Sequence, residues 1–271
     1  MITELNKSEF YKIRHITDKC KNIEVRAVVS GNNPGGVYVD HSTEPTAAFI
    51  WIEGQKGFQI VGDPQSISFL TGLEEYMRKH IEPKLQKQNI NWVEIGLDPD
   101  PWDKTIQNIF QQRNISSDTQ HVFTLRGNPQ SIEFQNQEVN IQRISCELLK
   151  SRRLENHSFL ESKILRFWDS TDSFLEQGFG YFVEDNNNVV SLCFSAFVVD
   201  KTHAIDIETL EQHKRRNYGA AVARAFVQEC LQQGIHPYWD CTPDNTGSIR
   251  LAEKVGMSLD FDYQISYYGL S

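Results

Sequence analysis

Six residues, Arg216-Asn217-Tyr218-Gly219-Ala220-Ala221, constrain the fold of this 271-residue chain more than any other stretch. They follow a strand-like apolar run over 203–210 and open a helical run over 220–233. A strand, a tight turn and a helix start aim several backbone N–H groups and the positive end of the helix dipole at one point. Such a point accepts an anion, a pyrophosphate included. Gly219 lets the backbone come close to a ligand and Ala221 keeps the first helical turn small. Lys214, Arg215 and Arg216 add positive charge. G-x-x-x-x-G-K-[ST] is absent and the loop is not G-x-G-x-x-G, so P-loop and dinucleotide-binding readings are disfavoured.

Around this loop the chain alternates strands and helices, which predicts a mixed α/β fold. A first helix is expected over 4–20. Strands are expected over 25–29, 37–40, 47–52 and 57–61, with turn chemistry at Gly31-Asn32-Asn33-Pro34-Gly35-Gly36. A helix over 64–80 would be capped by Asp63. Strand 91–96, helix 102–112 and strand 121–125 follow. Gly127-Asn128-Pro129 is the best boundary signal and divides the chain into residues 1–127 and 128–271. Beyond it come a strand at 139–144, helices at 146–153 and 159–168, and strands 179–184 and 189–199. Asp185-Asn186-Asn187-Asn188 is a natural hairpin turn between those two strands. After the anion loop come strand 236–241, helix 246–254 and strand 262–268. The halves echo each other: Gly62-Asp63-Pro64 and Leu97-Asp98-Pro99-Asp100-Pro101 stand where the second half has its two loops. Two readings stay open, a tandem of related lobes and the general likeness of any two α/β halves.

The net charge of −9 argues against nucleic acid as the main partner and favours cationic ligands such as amines. No apolar run reaches membrane-spanning length and the N-terminus lacks a secretory signal, so a cytoplasmic protein is expected. The five cysteines are scattered, with no C-x-x-C, and the eight histidines have no paired-ligand spacing. Reduced thiols and no metal are therefore expected.

R-x-x-G-x-A after a strand resembles the acyl-CoA loop of the GNAT superfamily of N-acyltransferases. A second match stands at the expected distance: Asn245-Thr246-Gly247-Ser248, running into Lys254-Val255-Gly256-Met257, looks like the family's N-x-x-S…K-x-G-[FM] segment. Ile205-Asp206-Ile207-Glu208-Thr209 and Tyr238-Trp239-Asp240-Cys241 look like the zwittermicin A resistance-type branch. The resemblance covers roughly the C-terminal half. It implies a GNAT-like mixed central sheet flanked by helices there; residues 1–127 are expected to form a second α/β lobe, a degenerate GNAT-like repeat on the tandem reading, that lacks R-x-x-G-x-A and a cofactor. It implies acetyl-CoA as co-substrate and an amine of an antibiotic or related small molecule as acceptor. Backbone groups from Glu208 through Thr209 to Leu210 would hold the pantetheine, and an N–H near Leu210 the oxyanion. Arg216 and the amides of Asn217, Tyr218, Gly219, Ala220 and Ala221 would hold the pyrophosphate. Asn245 and Ser248 would line the cofactor.

Asp206 and Glu208 sit two apart on a strand and so share a face. Together they could attract an ammonium and take its proton; a solvated strand face is the bland alternative. Asp240 on the next strand is a further candidate. Many family members carry a Tyr that protonates the departing thiolate, and Ala252 stands at that place. Tyr238, Tyr267 or Tyr268 could substitute, or water could. A rival reading is a non-catalytic acyl-CoA-binding protein. Cys241 is expected to be a buried strand cysteine.

Overall fold

A computed structural model describes residues 1–97, 102–125 and 139–270. Gly127-Asn128-Pro129 and Asp98-Pro99-Asp100-Pro101 lie outside the described residues. Among those described, the strands are β1 (Thr3–Leu5), β2 (Gly35–Val39), β3 (Ala47–Ile52), β4 (Gly57–Gly62), β5 (Trp92–Leu97), β6 (Ser116–Leu125), β7 (Ile141–Arg143), β8 (Gly180–Asp185), β9 (Asn188–Val199), β10 (Thr202–Thr209), β11 (His236–Cys241) and β12 (Met257–Gly269). The α-helices are α1 (Arg14–Thr17), α2 (Ile23–Val29), α3 (Ile67–Tyr76), α4 (Glu82–Lys87), α5 (Trp102–Ile109), α6 (Cys146–Ser151), α7 (His157–Leu165), α8 (Thr171–Gln177), α9 (Tyr218–Gln233) and α10 (Thr246–Lys254). The chain forms two compact units, Met1–Gln120 with Asp262–Ser271, and His121–Phe261.

In the first unit the strands run in the order β1-β2-β3-β4-β5-β12. Neighbours are antiparallel except β4 and β5, which are parallel through Phe58↔Ile95, Gln59↔Gly96 and Ile60↔Leu97. Phe49 and Phe58 stack at 4.4 Å, in a core with Phe69, Trp102, Phe110 and Tyr268.

Four expectations are corrected here. Residues 25–29 belong to α2, not to a strand. Every residue of α2 except Arg26 is buried. A short apolar run fits either element by pattern alone, and burial outweighs the modest helix penalty of valine, below about 0.7 kcal/mol each. Gly31, read as an inter-strand turn, ends the helix instead. It takes φ 83°, its N–H donates to the Val28 carbonyl, and the Asn32 N–H donates to that of Ala27, a Schellman closure. The helix expected over 4–20 is split into β1, a 3₁₀ turn Lys7–Ile13 and α1. The helix expected from 64 begins at Ile67 with Ser66 at the N-cap position. Asp63 accepts from the Gln65 N–H in a local turn.

The second unit runs β6-β11-β10-β9-β8-β7. The β8–β9 hairpin turns through Asn186 at φ 49° and Asn187 at φ 59°, the geometry of a type I′ turn. β7 to β10 are antiparallel, β10 and β11 parallel, and β11 and β6 antiparallel. Each unit thus has four antiparallel strands, then a parallel one, then an antiparallel closing strand. α9 packs on β8 and β9, where Phe226 stacks on Phe179 at 4.5 Å. α7 packs on β9. Phe167 and Phe174 meet Phe194 there, and the Trp168 indole donates to the Ser195 carbonyl at 2.9 Å. α8, not expected from the sequence, begins at a capping box made by Ser170 and Ser173.

Candidate functional site

The site begins with a defect in pairing. β10 and β11 share only Thr202↔His236, His203↔Pro237 and Ala204↔Tyr238. At Ala204/Ile205 the register of β10 against β9 shifts; such a bulge bends a strand and raises its twist. Beyond it β10 stays with β9 as far as Thr209↔Ser191, while β11 stays with β6. Among the described residues no strand pairs with β10 on the parted edge beyond Ala204. The Leu210 N–H donates to the Val190 carbonyl at 3.0 Å, so it faces β9. Alternation in an antiparallel pair turns the peptide groups of Ile207 and Thr209 the other way, to the parted edge.

A groove of about 840 Å³ opens there. One wall is the end of β10, from Ile207 to Leu210, with Glu211, His213 and Lys214. A second is the start of α9, from Asn217 to Ala220, with Arg215. Asn217, at φ 60°, gives no side-chain cap to that helix. Its amide oxygen accepts from Lys254 Nζ at 3.2 Å. Gly219 is small for packing: a Cβ would meet Thr209 Oγ1 at 3.2 Å and Leu251 Cδ2 at 3.4 Å. The third wall is α10, with Asn245, Gly247, Ser248, Arg250, Leu251 and Lys254. Asn245 caps α10 by accepting from the Ser248 N–H at 3.1 Å, and Ser248 Oγ accepts from the Trp239 indole at 2.8 Å.

Of the expected residues, Glu208, Thr209, Leu210, Asn217, Tyr218, Gly219, Ala220, Asn245 and Ser248 line this groove. Arg216, Ala221, Asp206 and Asp240 do not. Ala221 is buried in the core beneath the first turn of α9. Arg250 and Lys254 were not expected as groove cations, Lys254 being read only as part of the K-x-G-[FM] segment, although their four-residue spacing on a helix capped by Asn245 puts them on one face.

The side chains of Ile205 and Ile207 point to the α9 face of β10, in one cluster with Val222 and Phe226. Asp206 and Glu208 point to the α7 face, where Lys163 pairs with Glu208. Burial pushes Asp206 up to about 6. Arg166 and Lys163 oppose that rise, and Glu208 and Asp240 add to it. So Glu208 and Asp240 both act electrostatically on Asp206, and Lys163 of α7 and Arg166 just beyond it add two cations that sequence reading missed. A carboxyl held near 6 can take a proton close to neutral pH.

A family model described as GNAT acetyltransferase matches residues 14–266. The chain belongs to the GNAT acetyltransferase family. It is similar to the uncharacterized N-acetyltransferase YdfB of Bacillus subtilis (strain 168), at 27% identity over 273 residues and 99% of each chain. It is similar in fold to a GCN5-related N-acetyltransferase-like protein from Streptococcus suis 89/1591. That match has a TM-score of 0.66, 19% identity, and covers 97% of this chain and 98% of that one. The tandem GNAT protein from the clavulanic acid biosynthesis pathway matches with a TM-score of 0.61 at 8% identity, over 99% and 98% of the two chains. The GNAT family implies acetyl-CoA as co-substrate and an amine as acceptor.

For a GNAT acetyltransferase the remaining candidates sort by environment. Ala252, where many members carry Tyr, is fully buried. Tyr238 is buried against Phe261. Tyr267 and Tyr268 belong to the first unit, where the Tyr268 hydroxyl donates to Glu82 at 3.3 Å. Cys241 is a buried free thiol, and burial raises its pKa. No helix of the described residues is long and apolar enough to cross a membrane.

Proposed function

We propose that this chain binds one acetyl-CoA in the groove of its second unit and transfers the acetyl group to the amine of a small molecule. The observation that carries the reading is the parting of β10 from β11 after Ala204, directly before the uncapped start of α9. A parted strand edge offers backbone donors and acceptors to an extended chain such as pantetheine. The α9 amides and the nearby Arg215, Lys214, Arg250 and Lys254 suit phosphate. The acceptor approaches from the α7 face. Glu208 receives its ammonium and Asp206 takes the proton. The free amine attacks the thioester carbonyl, whose developing oxyanion is met by the Thr209 N–H. The thiolate leaves and is protonated from solvent. The likeness of the two strand segments around Glu208 and Asp240 to the zwittermicin A resistance-type branch supports an antibiotic-like acceptor.

The first unit, in this reading, is a related lobe without a cofactor. Its parallel strands pair through Leu97, the last residue of β5, so their described ends do not part as β10 and β11 do. The buried Asp40 carboxylate accepts from Ser66 Oγ at 2.9 Å, at the start of α3. Burial works to raise Asp40, but hydrogen bonds from Thr46, Ala47 and Ser66 prevail and hold it below its ordinary value. A fixed anion there disfavours a second one.

Acetyl transfer to a panel of primary amines tests the reading. Glu208→Gln should raise the KM for the amine by roughly ten- to a hundredfold, the worth of a hydrogen bond to a charged group, and leave acetyl-CoA affinity unchanged. An unaltered KM in that variant would remove Glu208 from acceptor binding.

A further inference from the structure

We infer that Lys163 is an acetyl acceptor within this chain: its ε-amine stands at the acceptor side of β10 and is acetylated by the enzyme's own acetyl-CoA. The inference rests on the proposed acetyl-CoA site.

The observations come from α7. Lys163 lies one helical turn beyond Phe159, so the two share a face. Nζ lies 5.4 Å from the Phe159 ring centroid and pairs with the Glu208 carboxylate. Glu208 itself lines the groove. Asp206 also feels the Lys163 charge, with Arg166, Glu208 and Asp240 as its other charged neighbours. A carboxylate on one side and an aromatic face on the other is the environment that recognises an alkylammonium. The chain therefore supplies, from its own helix, a primary amine where the acceptor's amine belongs.

The chemistry balances without another reactant. Lys163 as the ammonium gives one proton to the Asp206 carboxylate, which passes it to solvent. Nζ then attacks the thioester carbonyl; the N–C bond forms and the C–S bond breaks. The second proton of the nitrogen goes to solvent, from which the departing thiolate takes one. The products are acetyl-lysine, coenzyme A and one released proton.

Uncatalysed acetylation is the competing explanation, and exposure separates the two. The Lys163 side chain is 24% exposed, against 56% for Lys79 and 59% for Lys84. Chemical acetylation would favour the latter pair. The full chain is incubated with acetyl-CoA and no added amine, and acetylated peptides are followed by mass spectrometry at two protein concentrations. Lys163 should be modified ahead of Lys79 and Lys84, at a rate independent of protein concentration. Asp206→Asn should slow it by roughly a hundredfold, and Lys163→Arg should abolish it while calorimetry still finds acetyl-CoA bound. If acetyl-CoA binds but Lys163 is modified no faster than Lys79 and Lys84, the inference fails and the proposed function stands. If acetyl-CoA does not bind at all, both fail.

Discussion

Asp206 is half-buried on β10, and burial raises its carboxyl to about 6. In the unfolded chain it titrates near its ordinary value of 3.8. Between those two values the native state binds more protons than the unfolded one, so this group's contribution to stability falls as pH rises and levels off above about 6. Asp206→Asn should flatten that dependence and stabilise the protein at neutral pH by about 1–2 kcal/mol, after allowance for partial solvent screening. The same change should remove the acidic limb near 6 from the pH–rate profile. Denaturant titrations across pH and a pH–rate series check both. An unaltered limb would exclude Asp206 as the proton acceptor. The sequence made Asp206 and Glu208 legible as a pair, because alternation along a strand needs no tertiary knowledge. It could not reveal which of them is buried, nor that Lys163, some forty residues earlier, would pair with Glu208.

β10, α9 and α10 together make the groove, and the joint between β11 and α10 is its least redundant part. Ser248 Oγ accepts from the buried Trp239 indole, and Asn245 caps the helix. Ser248→Ala would leave that indole N–H without this acceptor, a cost of about 1–2 kcal/mol. Asn245→Ala should cost about 1 kcal/mol by loss of the cap. Both should also weaken acetyl-CoA binding, because α10 forms one wall; unfolding with and without coenzyme A separates the two effects. Unchanged stability in both variants would contradict the joint described here. These elements were legible because their signals are local. β11 and α10 have the bounds expected from pattern, and α9 starts two residues earlier. α2 was not legible, since a short helix buried at every residue but Arg26 carries no amphipathic period. Nor was the parting of β10 from β11, which depends on how far two strands stay paired.

At the scale of the whole molecule, the two units repeat one strand order, and the first half of the chain does not contain the first unit whole. Asp262–Ser271 completes it, while His121–Thr124 of β6 pairs with β11 in the second unit. A fragment starting at residue 128 would strip β11 of that partner and expose a sheet edge. It should be insoluble or unfolded, as circular dichroism and sedimentation would report; a folded, active fragment would contradict the arrangement. The echo of the two halves was visible in sequence, but the exchange of closing strands was not, because no local signal marks which strand a chain end will join. Among the described residues, only the second unit combines a parted parallel pair with a basic loop at a helix start. A single acetyl-CoA site in the second unit is tested by one titration: acetyl-CoA into the intact chain by calorimetry, beside a Gly219→Glu variant shown to be folded. It predicts one site per chain and none in the variant; two sites per chain, or undiminished affinity in the folded variant, would contradict it.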